Sequence, residues 1–390
     1  MIPSLDPYRP TWAEIDLDAL SSNLAAVRRR IGTLPILAVV KANAYGHGAS
    51  EVARALEEGG VERFGVAIPE EGIELRRAGI RAPILVMGGF APPQAELLLQ
   101  HSLIPAIYRP DQVDSLSSAA ARRGVSAPVH LKVDTGMGRL GVPAGDVAAF
   151  LEVFRKASPV RLTGAFSHLA VADDPADPFT ASQIDLFHEA IGALNAAGLS
   201  PDEIHLANSA AIMDHPLAWL TLVRPGLVLY GYPPSAMVTP LPVRPILSLK
   251  TRIIYIKDVP PGTTLGYGRT FEARRSTRVA SLALGYDDGL PRLVSNRGHV
   301  LVRGRRAPIV GRVSMDLTTV DVTDIPAAAL GDVVTVIGVS GDEVVDAGQI
   351  AAWAETISWE VLCGIGSRVP RVYVRGAERR VVSRFGEPEA

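Results

Sequence analysis

The amino-acid sequence predicts an α/β chain built as a (β/α)8 TIM-type barrel followed by a mainly-β C-terminal domain. Three observations carry that expectation. Short apolar runs alternate with amphipathic stretches from residue 35 onward, a Pro-rich segment breaks the pattern near residue 240, and the remainder is dense in β-branched residues. At 390 residues the chain is long for a single core, so a barrel domain at 1–240 and a second domain at 241–390 are expected.

Eight strand candidates follow in order: 36–40, 63–67, 83–87, 103–107, 128–133, 160–166, 203–207 and 221–224. Between them, stretches such as 49–59 and 179–197 repeat apolar residues at helical spacing with charges on the other face. Periodicity alone also allows a doubly wound open sheet. In a barrel, functional residues belong at the C-terminal ends of strands. The linker YPPSAMVTPLPVRP leads into strand candidates at 246–258, 277–284, 299–303, 307–312, 316–322 and 332–338. A short helix is expected at 346–354 and further strands around 368–383. TWAEIDL at 11–17 alternates like a strand, and its domain is left open.

Composition narrows the function classes. Lys plus Arg number 39 against 41 Asp plus Glu, so no global field recruits nucleic acid or an anionic membrane. A small-molecule partner is favoured. The single cysteine, Cys363, cannot form an internal disulfide and fits a reducing compartment. MIPSLDPYRP lacks the basic start and apolar core of a signal peptide, and no apolar run spans a bilayer, so a soluble, cytoplasmic protein is expected.

The sharpest local feature is Lys41-Ala-Asn-Ala-Tyr-Gly-His-Gly48, where the first buried strand runs out. An arbitrary strand-end lysine snorkels to water. At a barrel mouth, desolvation instead lowers the amine's proton affinity and supplies the neutral nitrogen that Schiff-base formation needs. VVKANAYGHG, LKVDTGMGRLG, HLANSAA, VRPGLVLYG, GYGRTF, GRVSMD and CGIGSRVPR follow one another from residue 39 to 371. In these motifs, and from about residue 11 to 374, the chain resembles the alanine racemase family of pyridoxal-phosphate-dependent enzymes.

The resemblance implies pyridoxal 5'-phosphate as cofactor, no metal, and the interconversion of L- and D-alanine, with D-alanine supplied to peptidoglycan. It implies that Lys41 carries the cofactor and that Tyr45 donates its hydroxyl to the phosphate. Ser209 and the amides of Gly226 and Leu227 are expected as further phosphate donors, consistent with the loops after the seventh and eighth strands of many barrels. Arg224 should face the pyridine nitrogen. A guanidinium does not readily release its proton, so it leaves the ring a weaker electron sink than a carboxylate partner would, and that limits transamination. Arg139 matches an arginine that contacts the cofactor's phenolic oxygen and the substrate carboxylate. Lys132 corresponds to a lysine carbamylated in some relatives; the sequence leaves open whether it is modified. His168 corresponds to a histidine linking the pyridine-side arginine to the catalytic tyrosine, although a lone histidine beside an apolar strand is commonly a satisfied core residue.

Tyr267 in LGYGRTF is the expected second base, opposite Lys41, because racemisation needs an acid or base on each face of a planar Cα. Free tyrosine titrates near about 10, so nearby cations must favour its phenolate. The resemblance implies that Tyr267, Met315 and Asp316 enter from the partner subunit of a homodimer with shared active sites, and that Tyr286 lines the substrate entrance. Two residues depart from the family pattern. Trp359 stands where a phosphate-binding tyrosine is common, and Ser314 where cysteine is common. A decarboxylase of the same cofactor type would be expected to place a carboxylate, not Arg224, at the ring nitrogen. A non-catalytic single-barrel protein would lack the β domain. A broad-specificity or serine-preferring racemase differs only in pocket volume.

Overall fold

A computed structural model describes residues 9–155 and 159–384, which form two compact units. One comprises Leu20–Ala44 and Ala49–Arg244; the other comprises the described N-terminal residues up to Ala19, Tyr45–Gly48 and Pro245 onward.

The first unit is the expected barrel. Leu37–Val39, Arg63–Val66, Ile84–Val86, Ile104–Ile107, Ala127–Asp134, Val160–Phe166 and Glu203–His205 pair in parallel in chain order. The eighth position is held by the segment around residue 223, which bridges Ile36 in parallel and accepts the Leu37 amide at 2.9 Å. The Arg224 amide in turn donates to the Ala207 carbonyl at 2.9 Å, so the segment joins the last strand to the first. These strands are short and buried on both faces, as the near-continuous apolar runs require. Helices such as Ala49–Glu58, Pro110–Arg123 and Phe179–Ala196 cover the outside, each burying an apolar stripe.

The second unit is mainly β, with a sheet of ten strands. Its long strand Leu247–Val259 pairs antiparallel with Thr11–Asp16, Thr277–Leu282 and Val333–Ser340. Thr11–Asp16 also runs parallel to Arg371–Arg375. Ladder pairing therefore places the early strand in the β unit. This corrects a barrel domain running unbroken from residue 1 to 240: the chain crosses between units before Leu20 and again around Tyr45–Gly48, and leaves the barrel at Arg244.

That second crossing is anchored inside the β unit. Arg371, 6% exposed, donates to the carbonyls of Gly46 at 2.9 Å, Ile365 at 2.7 Å and Val369 at 2.6 Å. Tyr373 donates its hydroxyl to the His47 carbonyl at 3.1 Å. Gly46 has φ +83°, and a Cβ there would lie 2.1 Å from the Leu362 carbonyl oxygen. Only glycine allows the loop to lie this close to the helix Ser358–Cys363. Gly60 provides a contrast, with φ +80° but open space around it. In urea unfolding, Gly46→Ala is expected to lose about 2–3 kcal/mol from overpacking and strain together, against about 1 kcal/mol for Gly60→Ala. Equal losses would show that the close approach carries no energy.

Candidate active site

Lys41 follows the first barrel strand and is half-buried. Directly after it the backbone makes a left-handed turn: Ala42, Asn43, Ala44 and Tyr45 have φ between 52° and 54°. For alanine this conformation costs roughly 1–2 kcal/mol per residue. Local bonds compensate. The Ala42 amide donates to Glu71 at 2.6 Å, the Ala44 amide to the Val40 carbonyl at 2.8 Å, and the Ala49 amide to the Asn43 side chain at 2.8 Å. The turn sets where the Lys41 side chain leaves the strand end.

Around Lys41 the barrel gathers positive charge. Lys132, 6% exposed on Ala127–Asp134, has its amine lowered to about 8, first by burial, then by the charges of Arg224, Arg139 and Lys41. Its Nζ lies 4.8 Å from the centre of the Phe166 ring. Arg224, 4% exposed at the end of the eighth strand, is lowered to about 9 by burial. Its Nη1 donates to the His205 carbonyl at 2.8 Å and to His205 Nδ1 at 3.0 Å. Its Nη2 donates to the carbonyls of Ser167 at 2.8 Å and Leu206 at 2.9 Å, and faces His168 Nδ1 at 3.5 Å. No carboxylate is among these partners, and Nε donates to none of the described residues. His168 is held down to about 3 by burial and by Arg224, Lys132, Arg139 and Lys41, so its imidazole is neutral at physiological pH. Arg139 is exposed and has no hydrogen-bond or ion-pair partner among the described residues.

Ser209 opens the helix Ser209–Asp214, capped by Asn208, whose side chain accepts from the Ala211 amide at 3.0 Å. The Ser209 Oγ accepts the Gly226 amide at 3.0 Å and lies 3.4 Å from the Val228 amide. Hydroxyl and amides thus converge at two helical N-termini, Ser209–Asp214 and the 3-10 turn Leu227–Tyr230, a donor set suited to phosphate. Leu227 is buried at the start of that turn.

In the β unit, Tyr45 is 8% exposed, and burial, with Cys363 second, pushes its hydroxyl well above the usual phenol range. It therefore stays a donor, as a phosphate contact requires. Tyr267 is 70% exposed on a turn between Gly266 and Gly268, both at positive φ. Tyr286 and Met315 are also exposed, at 41% and 53%. Their two loops are joined: the amides of Tyr286 and Asp287 donate to the carbonyls of Ser314 and Met315 at 3.0 and 3.1 Å. Beneath them the fully buried Asp288 accepts from Arg9, from Arg368 Nε at 2.8 Å and from the Gly285 amide at 2.8 Å. Arg368 also pairs with Asp316 at 2.8 Å. Trp359 is half-buried in Ser358–Cys363, and its indole N–H donates to none of the described residues.

The barrel unit therefore brings together Lys41, Lys132, Arg139, His168 and Arg224, and sets the Ser209–Gly226 pair in the loops after the last two strands. The β unit places Tyr267, Tyr286, Met315 and Asp316 on exposed loops. Sequence reading missed Phe166, His205, Asp288 and Arg9. Two carried a signal, His205 as the first residue of HLANSAA and Asp288 as the second acid of GYDD. The described residues contain no group of three metal-ligating side chains, and no helix is long and apolar enough to cross a membrane.

Comparison with known proteins matches residues 15–234 to the alanine racemase N-terminal domain and residues 246–373 to the alanine racemase C-terminal domain. The alanine racemase of Halothermothrix orenii is 46% identical over 367 residues, covering 94% of this chain and 97% of that protein. That of Symbiobacterium thermophilum is 45% identical over 370 residues, covering 95% and 98%. Among solved structures, the alanine racemase of Clostridium difficile 630 superposes with a TM-score of 0.92 at 36% identity, covering 97% of this chain and 99% of that one. The Bacillus anthracis enzyme with bound L-Ala-P gives 0.92 at 35% identity, over 97% and 98%. The Bartonella henselae enzyme with covalently bound pyridoxal phosphate gives 0.84 at 29% identity, over 94% and 99%. The chain belongs to the alanine racemase family, pyridoxal-phosphate-dependent amino-acid isomerases.

Proposed function

We propose that this chain interconverts L-alanine and D-alanine by two-base proton transfer at Cα, with Lys41 and Tyr267 serving opposite faces. The observation that carries the reading is the cluster of cations at the barrel's strand ends, in which Arg224 is buried without a carboxylate. Such a site receives an anionic ligand, and its ring-nitrogen partner is a donor only, which argues against the decarboxylase alternative.

The residues present fit pyridoxal phosphate. Ser209, the amides of Gly226 and Leu227, and the protonated Tyr45 hydroxyl would hold its phosphate; Arg224 would offer Nε to the ring nitrogen. When bound, the cofactor supplies a carbonyl carbon for amines and a conjugated ring that acidifies the substrate's Cα–H. Arg139, exposed and unpartnered, takes the substrate carboxylate. Lys41 Nζ takes or returns the proton on one face and the Tyr267 hydroxyl does so on the other. His168, neutral and facing Arg224, passes that arginine's orientation toward the tyrosine. Trp359, half-buried in Ser358–Cys363, offers one indole donor in place of a phenol. Borohydride reduction is expected to fix the cofactor's mass on the peptide bearing Lys41; finding it on Lys132 or Lys250 would overturn the assignment.

Lys132 is proposed as a carbamylation site. With its amine lowered to about 8, a sizeable neutral fraction exists at physiological pH. Its nitrogen adds to the carbon of CO2 and releases one proton, leaving a carbamate anion beside the arginine charges in place of a cation. A lowered amine is neutral above its shifted value, so at constant CO2 pressure the modified fraction should rise as pH passes through about 8. Carbon-labelled bicarbonate followed by NMR checks this. A carbamate signal surviving in Lys132→Arg would place it elsewhere.

The chain is further proposed to act as a homodimer with shared sites. Tyr267, Met315 and Tyr286 are too exposed in a lone chain for groups that must work away from bulk water. Inactive Lys41→Ala and Tyr267→Phe chains, unfolded and refolded together, are expected to recover about one quarter of wild-type activity through mixed dimers. Confirmed mixed dimers without activity would show that each chain uses its own tyrosine.

A further inference from the structure

Barrel interiors are normally filled by layers of branched apolar side chains. This one contains a polar file. From Arg224 at the mouth, Nη1 donates to His205 Nδ1 at 3.0 Å, and His205 Nε2 lies 3.0 Å from His130 Nδ1. His130 Nε2 faces Glu203 Oε2 at 3.5 Å, and Glu203 Oε1 accepts from Arg63 Nε at 2.7 Å. Glu203 and Arg63 are the first residues of their strands, so the file runs from the mouth to the barrel floor. His205 is fully buried and His130 is 1% exposed.

The room for the file is built in. A Cβ on Gly164 would lie 2.5 Å from the His130 ring, so no larger residue fits beside it. Phe166 stacks on His205 at 5.0 Å between centres with planes 5° apart, which fixes the plane of that imidazole.

The hydrogens follow from the two ends. Arg224 has only donors, so His205 Nδ1 must be bare and His205 Nε2 must carry the hydrogen. His205 then donates to His130 Nδ1, which leaves the His130 hydrogen on Nε2, directed at a carboxylate. Both rings are neutral: burial first, then Arg224 and Arg63, hold their proton affinities far below the usual imidazole range. The last link, at 3.5 Å, is longer than an ordinary hydrogen bond, and His130 Nε2 has no other partner. With the carboxylate gone, only the Arg224 end still selects the tautomer, and nothing at the floor reinforces it. The reversed form would set His205 Nδ1–H against an Arg224 N–H, donor to donor.

We propose that Glu203 and His130 are positioning residues for the reaction: through His205 they fix the guanidinium plane of Arg224 and link that buried cation to a carboxylate across the barrel. The proposal rests on Arg224 being the partner of the cofactor's ring nitrogen, as read above. The role of Glu203 is to hold a tautomer, not to transfer a proton in turnover.

The test compares Glu203→Gln with Arg63→Met in the holoenzyme. Nitrogen NMR of labelled histidine reads the tautomers, the absorbance of the bound cofactor reads its ring environment, and steady-state kinetics separates kcat from KM. In wild type both rings should show a hydrogen on Nε2 and a bare Nδ1. Glu203→Gln should mix the tautomers, shift the cofactor absorbance and lower kcat about tenfold with KM nearly unchanged. Arg63→Met removes the same ion pair but leaves the carboxylate facing His130, so it should keep the wild-type tautomers and absorbance. Unchanged tautomers in Glu203→Gln, or an equal loss in Arg63→Met, would overturn the proposal in favour of a merely structural ion pair. Altered tautomers with an unmoved cofactor spectrum would overturn the reading of Arg224 as ring partner, and the positioning role with it. Should Glu203→Gln not fold, Gly164→Ala pushes the same ring from its place and should move the same two spectroscopic signals; a silent Gly164→Ala would also count against the file.

Discussion

The arrangement of the barrel site turns on a buried guanidinium with no carboxylate beside it. Removing a charge from water is tolerated only when its hydrogen-bonding capacity is satisfied. Arg224 achieves this at both terminal nitrogens with three carbonyls and two imidazoles, which occupy those donors without neutralising its charge. Burial lowers Lys132, His168, His130 and His205, and the uncancelled charge acts on these neighbours to lower all four further. A carboxylate in contact with Arg224 would relieve all four, and would also remove the attraction for an anionic ligand. The attraction for an anion and part of what keeps the histidines neutral, beside their burial, thus come from the same charge.

The loop from Lys41 to Gly48 ties this site to the second unit along the chain. Its first half is a left-handed turn held by barrel bonds, and its second half is held by Arg371 and Tyr373. Lys41 and Tyr45 sit at opposite ends of the left-handed turn. The barrel end is held by bonds to Glu71, Val40 and the Asn43 side chain and the other end by buried bonds to the Gly46 and His47 carbonyls, and together they keep two alanines at positive φ.

Much of this was legible in the sequence because it rests on local signals. Eight apolar runs announced the strands, and Lys41, Arg224 and Ser209 could be placed at strand ends by their position after those runs. The partner of Thr11–Asp16 could not be read, because its ladders join residues more than 230 positions away. Alternation reports which residues share a face, not which strand lies beside them. The left-handed turn was hidden for the opposite reason: alanine has no preference for that conformation, and tertiary bonds override its propensity. Arg9 and Asp288 are separated by 279 residues and meet only through folding.

The polar file in the barrel was the least legible feature, and its composition explains why. In PVHLKV and EIHLA, one histidine inside an apolar run looks like a tolerated core residue. Two neutral imidazoles in an apolar layer would be a poor way to fill a barrel, since each ring nitrogen must find a partner or incur a penalty of about 1–3 kcal/mol. Here the penalty is avoided at three of the four ring nitrogens, because a cation fixes one end of the file. Satisfied polar groups of this kind give a core direction, which hydrophobic packing cannot supply. The same Arg224 that attracts an anion at the mouth therefore dictates where every hydrogen lies down to the floor, and the carboxylate at that floor is the one group able to reinforce the choice.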